Sequence, residues 1–210
     1  MPSATSLTVF LGTALILAIM PGPGLLYIAG RTLGAGAVEG LVSCLGTAVG
    51  GSIHVVAAAV GVSALIMASA EAYLVLKLFG GAYLIYLGIQ AWCSADPLLV
   101  VNKADVKRGR WMAFRQGAIV EATNPKTAAF FLALIPQFID TSKPVWSQFL
   151  VLGSISIILN TAGALVVVWA VSRLRERALA RVHLVERFKK ASAVLLSGLG
   201  VSLLFSRRPV

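Results

Sequence analysis

Pro21-Gly22-Pro23-Gly24 interrupts one apolar run, residues 6–28, and Asn124-Pro125-Lys126 interrupts another, residues 111–139. Each run is long enough to cross a bilayer, which takes about 20 apolar residues as a helix. Proline lacks an N–H and clashes with the carbonyl four residues earlier. Pro21 therefore frees the carbonyl of Leu17, Pro23 that of Ile19 and Pro125 that of Glu121. Breaks of this kind survive at membrane depth only where the freed backbone is buried in protein or lines a wet cavity. Two of them in corresponding places of two halves point to the binding site of a transporter.

The rest of the chain fits a membrane protein. Of 210 residues, 58% are hydrophobic and only 12% charged, far from the balance of a soluble domain. Six apolar stretches read as spans: 6–28, 41–66, 72–92, 111–139, 145–171 and 188–205. The uncharged core of the sixth, 191–205, falls short of the roughly 17 residues a span needs. Lys189 and Lys190 can lengthen it by snorkelling, so five spans and six both stay open. No basic leader or cleavage site precedes the first span, which is read as retained.

The net charge of +10 sorts by side. Thirteen of the eighteen Lys and Arg fall after the first span, in 103–115 and in 173–190, whereas Lys143, Arg207 and Arg208 lie on the other side. Cytoplasmic loops collect Lys and Arg, so these three connections face the cytoplasm and both termini face outward. The basic surplus is thus topology, helped by anionic lipid. No nucleic-acid motif accompanies it. The segment 172–190 mixes seven basic residues with Leu174, Leu179, Val182 and Val185, the composition of an amphipathic stretch on the membrane surface.

The hydrophilic loop 94–110 divides a single domain, 1–210, into halves 1–93 and 111–210. Setting Pro21 on Pro125 also sets Phe10 on Phe114 and Tyr27 on Phe131. In the third and sixth spans, aligned separately, Lys77 falls on Lys189 and Leu87-Gly88 on Leu199-Gly200. Three spans per half orient the halves oppositely, as an inverted repeat requires. The expected fold is an all-α integral membrane protein: six transmembrane helices in two inverted three-helix repeats, with broken first and fourth helices.

The breaks suit an amino acid. Freed carbonyls accept from an ammonium group, and the half-helix starting near Gly24 offers N–H groups and a positive dipole end to a carboxylate. Pro21, Gly22, Pro23, Gly24, Asn124, Pro125 and Lys126 are therefore candidate substrate-binding residues. Glu121 and Lys126 are charged residues within the fourth span, each costing at least ~2.5 kcal/mol to place there. On an unbroken helix they sit about 140° apart; a break at Pro125 brings them together. Glu121 then serves as proton or ammonium partner and Lys126 as structural or carboxylate partner. The alternative is that both snorkel at the cytoplasmic face.

His54 continues a stripe of Gly46 and Gly50 at four-residue spacing. The glycines admit close helix approach, and they also permit a homodimer. The histidine is either a satisfied structural group or, with its pKa near neutrality, a second proton-coupling candidate beside Glu121. Tyr83 and Tyr86 share a face near the middle of the third span and read as cavity lining, although interfacial anchoring is the usual role of tyrosine. Ser156, Asn160 and Gly163 share a face of the fifth span, and Asn160 is expected to bond to another helix.

Several strings resemble the LysE-type amino-acid exporters, which include the homoserine, threonine and homoserine-lactone efflux proteins. They are Pro21-Gly22-Pro23; Gly40-Leu41 with Gly46, Gly50 and His54; Leu76-Lys77; Gly80 through Gly88; Phe114-Arg115-x-Gly117; Asn124-Pro125-Lys126; and Pro136-Gln137-Phe138. The resemblance covers nearly the whole chain. It implies a multi-pass protein of the bacterial inner membrane that exports small amino acids or their derivatives by proton antiport, without cofactor. Family members commonly carry an acidic residue where this chain has Gly24, and Asp where it has Gly51. These departures favour a neutral substrate over a cationic one.

Enzyme chemistry finds no purchase: no paired-carboxylate site, nucleophile elbow, P-loop or metal-ligand cluster is legible. Two other readings remain, a membrane scaffold or thiol-redox conduit using Cys44 and Cys93, and a passive channel for small solutes.

Overall fold

A computed structural model describes residues 4–93, 109–173 and 182–205. Most of the central loop and positions 174–181 of the basic segment lie outside the described residues. Among the described residues regular structure is entirely helical.

Helix α1 (Ala4–Ile19) and helix α2 (Pro23–Ala35) meet at a bend of 43°. Pro23 opens α2, where its missing N–H costs nothing, and Gly22 ahead of it is extended. Gly36 ends α2 at φ +97°, left-handed backbone that only glycine adopts cheaply. Helix α3 (Ala37–Ala57) runs through a π segment (Ala58–Val62) into α4 (Ser63–Ala68), making one apolar rod of 32 residues. Helix α5 spans Ala70–Cys93. Helix α6 (Gly109–Ala122) stops at Thr123 and Asn124, and α7 (Pro125–Ala129) restarts the chain into a second π segment (Phe130–Leu134) and a 3-10 turn (Ile135–Phe138). Helices α8 (Val145–Arg173) and α9 (Val182–Phe205) complete the order.

Three of these stretches, Ala37–Ala68, Glu71–Gln90 and Val145–Arg173, are long and apolar enough to cross a membrane, and the bent α1–α2 pair makes a fourth. The expected spans at 111–139 and 188–205 do not reach that standard. The Asn124-Pro125 break cuts the former into short pieces. Glu186, Arg187, Lys189 and Lys190 crowd the first half of α9, leaving only Ala193–Ser202 as apolar helix.

Two tight pairings organise the molecule, α3 on α6 and α5 on α9. Glycine sets both. A methyl on Gly46 would overlap the carbonyl of Phe114, and one on Gly50 would stand 3.0 Å from the nitrogen of Ala122. On the facing helix, a methyl on Gly117 would lie 2.8 Å from the carbonyl of Ser43. Between α5 and α9, a methyl on Gly200 would lie 2.6 Å from the carbonyl of Gly81. Small residues let backbones approach this closely where lipid offers no hydrophobic drive. The Gly46–Gly50 face is thus occupied inside the chain, by α6.

Phe10, Phe130, Phe149, Leu84 and Leu152 fill the centre. The periphery is apolar as well, with Val60, Phe79, Ile158 and Val166 each more than 60% exposed. A surface of that kind belongs against lipid. Arg31 is buried at the end of α2 and pairs with Glu39 at 3.0 Å. In the turn before α8, Lys143 and Ser142 hold the Asp140 carboxyl down to about 2.

Candidate functional site

The two helix breaks face each other, and Lys126 joins them. From the first turn of α7 its ammonium donates to the carbonyls of Leu17 (3.0 Å) and Met20 (2.9 Å). The Leu17 carbonyl is the one Pro21 strips of its helical partner, so the second broken helix closes the first. Gly22 makes room for the lysine stem, since a methyl there would sit 3.2 Å from its Cε.

Asn124 caps α7 as short polar side chains do at helix starts. Its Oδ1 accepts from the Lys126 main-chain N–H at 3.0 Å, while its Nδ2 donates to Glu121 Oε2 at 3.0 Å. Thr127 Oγ1 donates to Glu121 Oε1 at 2.6 Å. Each oxygen of this buried carboxylate therefore accepts a hydrogen bond, which offsets part of its desolvation. The same carboxylate rests against Gly24, where a methyl would overlap Oε2. Gly24 lies in the first turn of α2, the positive end of that half-helix, where an anion is stabilised.

Pro125 frees the Glu121 main-chain carbonyl, which accepts from His54 Nε2 (3.0 Å) and from Asn124 N (3.0 Å). Because a carbonyl only accepts, His54 carries a proton on Nε2. Its ring stacks on Phe131 with centroids 6.0 Å apart.

Beside this network lies a cavity with about 60 Å³ for the centres of water-sized molecules, room for a few waters. Gly24, Glu121, Lys126 and Thr127 form one side. Leu25, Ile28, Phe130 and Phe131 supply apolar walls, Thr47 and Gly51 come from α3, and Ser156, Asn160 and Thr161 come from α8.

The structure brings Gly22, Gly24, Glu121, Asn124, Pro125, Lys126 and His54 into one cluster around the breaks. Pro21 and Pro23 shape the backbone there without lining the cavity. Tyr83 and Tyr86 do not line it either, contrary to the sequence expectation. They stack on each other at 6.0 Å on the outer face of α5, 40% and 55% exposed. The cause is the rotation of α5: Gly81 and Gly88, two turns apart, must face α9, and residues two positions from either point the other way. Asn160 lines the cavity and, among the described residues, makes no side-chain hydrogen bond to another helix. Cys44 is buried and Cys93 exposed, and neither is in a disulfide.

Sequence reading did not find Thr127, and it put Ser156 and Asn160 on one face of α8 without giving that face a place in the cavity. On a continuous helix Thr127 lies about 240° from Glu121, so only counting through the break reveals the contact. The α8 residues had a signal, Ser156, Asn160 and Thr161 within six positions in the middle of the helix, but nothing local says what that face packs against.

Comparison with known proteins completes the picture. A family model described as "LysE type translocator" matches residues 15–207. A homoserine/homoserine lactone efflux protein of Salmonella typhimurium is 36% identical over 152 residues, 72% of this chain and 73% of that protein. A protein of Vibrio cholerae described as an uncharacterized membrane protein is 35% identical over 144 residues, 69% of this chain and 70% of its own. A leucine efflux protein of Salmonella choleraesuis is 26% identical over 135 residues, 64% of each chain. No solved structure matches. The family match runs through both helix breaks and the cavity between them, and the chain is a multi-pass membrane protein belonging to the LysE type translocator family.

Proposed function

We propose that this protein exports small neutral amino acids or their derivatives across a bacterial inner membrane in exchange for protons, by alternating access at the cavity between its broken helices. The observation that carries the reading is Glu121: a buried carboxylate, held by Asn124 and Thr127, bordering a cavity inside a multi-pass membrane protein. An ionisable group in that position marks a substrate or proton path. The relatives named for homoserine and leucine efflux support amino acids as the cargo.

In this mechanism Glu121 alternates between a proton and the substrate's ammonium. Lys126 spends two of its three N–H donors on Leu17 and Met20, and the third meets the substrate carboxylate. His54 holds the main chain of Glu121 in place. Among the described residues lining the cavity, Glu121 is the only carboxylate, so a cationic side chain finds no second acid among them, which supports a neutral substrate.

Alternating access rests on six spans in two inverted halves, with the termini outside. Two features support that arrangement. Each half opens on a helix broken at proline, α1–α2 in the first and α6–α7 in the second. The pairing of α3 with α6 also exchanges with that of α8 with α1 and α2 when the halves are swapped, while α5 with α9 maps onto itself.

Uptake of labelled amino acids into inside-out vesicles, acid inside, tests the proposal. Accumulation of a neutral amino acid that collapses with the gradient is the expected result. Equilibration indifferent to the gradient would instead make the protein a passive channel.

A further inference from the structure

We propose that Asn160 and Thr161 on α8 are the residues that read the substrate's own side chain, and that they select one bearing a hydroxyl or carbonyl over an aliphatic one. The inference rests on the exporter reading above. The polar side chains lining the cavity divide into two groups. Lys126 and Thr127 are engaged within the break network. Thr47 Oγ1 donates to the Cys44 carbonyl at 3.0 Å and Ser156 Oγ to the Leu152 carbonyl at 2.9 Å. Among the described residues, Asn160 and Thr161 line the cavity without any side-chain hydrogen bond to protein.

Their neighbours fix where they face. One turn before Asn160, Ile157 lies close to Gly51: a methyl on that glycine would stand 3.6 Å from Ile157 Cγ1 and 3.9 Å from Glu121 Cγ. One turn after it, a methyl on Gly163 would stand 3.2 Å from the carbonyl of Ala18. Asn160 therefore looks across the cavity between Glu121 and the end of α1. The groups that hold an amino acid's ammonium and carboxylate lie on the break side, and the α8 side is left for the remainder of the ligand.

A carboxamide and a hydroxyl without partners inside a membrane protein are costly unless a ligand or water satisfies them. A ligand that donates and accepts there is favoured. An aliphatic ligand displaces water and leaves both groups unpaired, the situation in which sites discriminate most strongly. The relatives frame the choice, one named for homoserine and homoserine lactone, another for leucine, and these two side chains favour the former kind of cargo.

The test is gradient-driven uptake of homoserine and of leucine into inside-out vesicles by the wild-type protein, Asn160→Leu and Thr161→Val. Wild type should prefer homoserine by about 10-fold or more in Vmax/KM. Asn160→Leu should raise KM for homoserine and improve leucine uptake, shrinking the preference. Thr161→Val, nearly isosteric, should shift the ratio the same way and serves if Asn160→Leu folds poorly. A homoserine/leucine ratio unchanged in both variants, with gradient-driven uptake intact, overturns the inference alone. A wild-type preference for leucine does the same. No uptake of either compound by well-folded wild type overturns the exporter reading and this inference with it.

Discussion

At position 24 a single methyl decides whether Glu121 keeps its place, because it would occupy the volume of Oε2. The carboxylate is tied by Asn124 and Thr127 and has little freedom to retreat. Gly24→Ala should therefore leave the protein folded and lower gradient-driven transport by about 10-fold or more, the cost of roughly 1.4 kcal/mol. Transport kinetics beside a detergent melting curve would show it. Lys126→Met makes the opposite contrast. It leaves the Leu17 and Met20 carbonyls without their shared donor, and unsatisfied buried groups cost about 1–3 kcal/mol each, so a melting curve should fall by an amount reflecting ~2–6 kcal/mol. Part of this residue-scale chemistry was readable in advance. That Pro21 strands the carbonyl of Leu17 follows from a rule spanning four residues. That Lys126, 109 positions away, takes it does not. Tyr83 and Tyr86 show the converse: their spacing put them on one face, but which way that face turns is decided by the glycines that seat α9.

At the scale of elements, the breaks and the two π segments interrupt the helical hydrogen-bond register. Ala58–Val62 continues α3 and Phe130–Leu134 continues α7, and the two lie in contact. His54 precedes one and its ring partner Phe131 lies within the other. A π segment shifts the hydrogen-bond register and recurs at functional sites. Nothing in the hydropathy pattern announces either π segment, because the side chains there remain uniformly apolar. The α3–α6 seam was more legible, since glycines four apart on an apolar helix have few other uses. Gly50→Leu should force α3 from α6, destabilising the protein by about 1–3 kcal/mol. It should also dislodge Glu121, whose Cβ lies 3.0 Å from where a methyl on Gly50 would be. The check is a lower melting temperature together with lost transport; a normal melting temperature would mean that the seam is not closed by glycine.

For the molecule as a whole, composition and the order of apolar runs settled the membrane class and the all-helical architecture. The continuous rods, Ala37–Ala68 and Val145–Arg173, fell close to where hydropathy put them. The runs at 111–139 and 188–205 were read as spans, yet neither holds a helix long and apolar enough to cross, one because its break consumes the length of a span and the other because charge occupies half of its helix. The cavity itself was legible only in outline. Proline chemistry located its floor, whereas its α8 wall depends on packing between segments far apart in sequence.

If substrate and proton share Glu121, Glu121→Gln separates them, because glutamine keeps the shape and loses the titration. Two rates are compared in the same vesicles: accumulation driven by an acid-inside gradient, and exchange of labelled for unlabelled substrate without one. Glu121→Gln should lose gradient-driven accumulation while retaining measurable exchange. Undiminished accumulation by Glu121→Gln would contradict it, and would move proton coupling to another group.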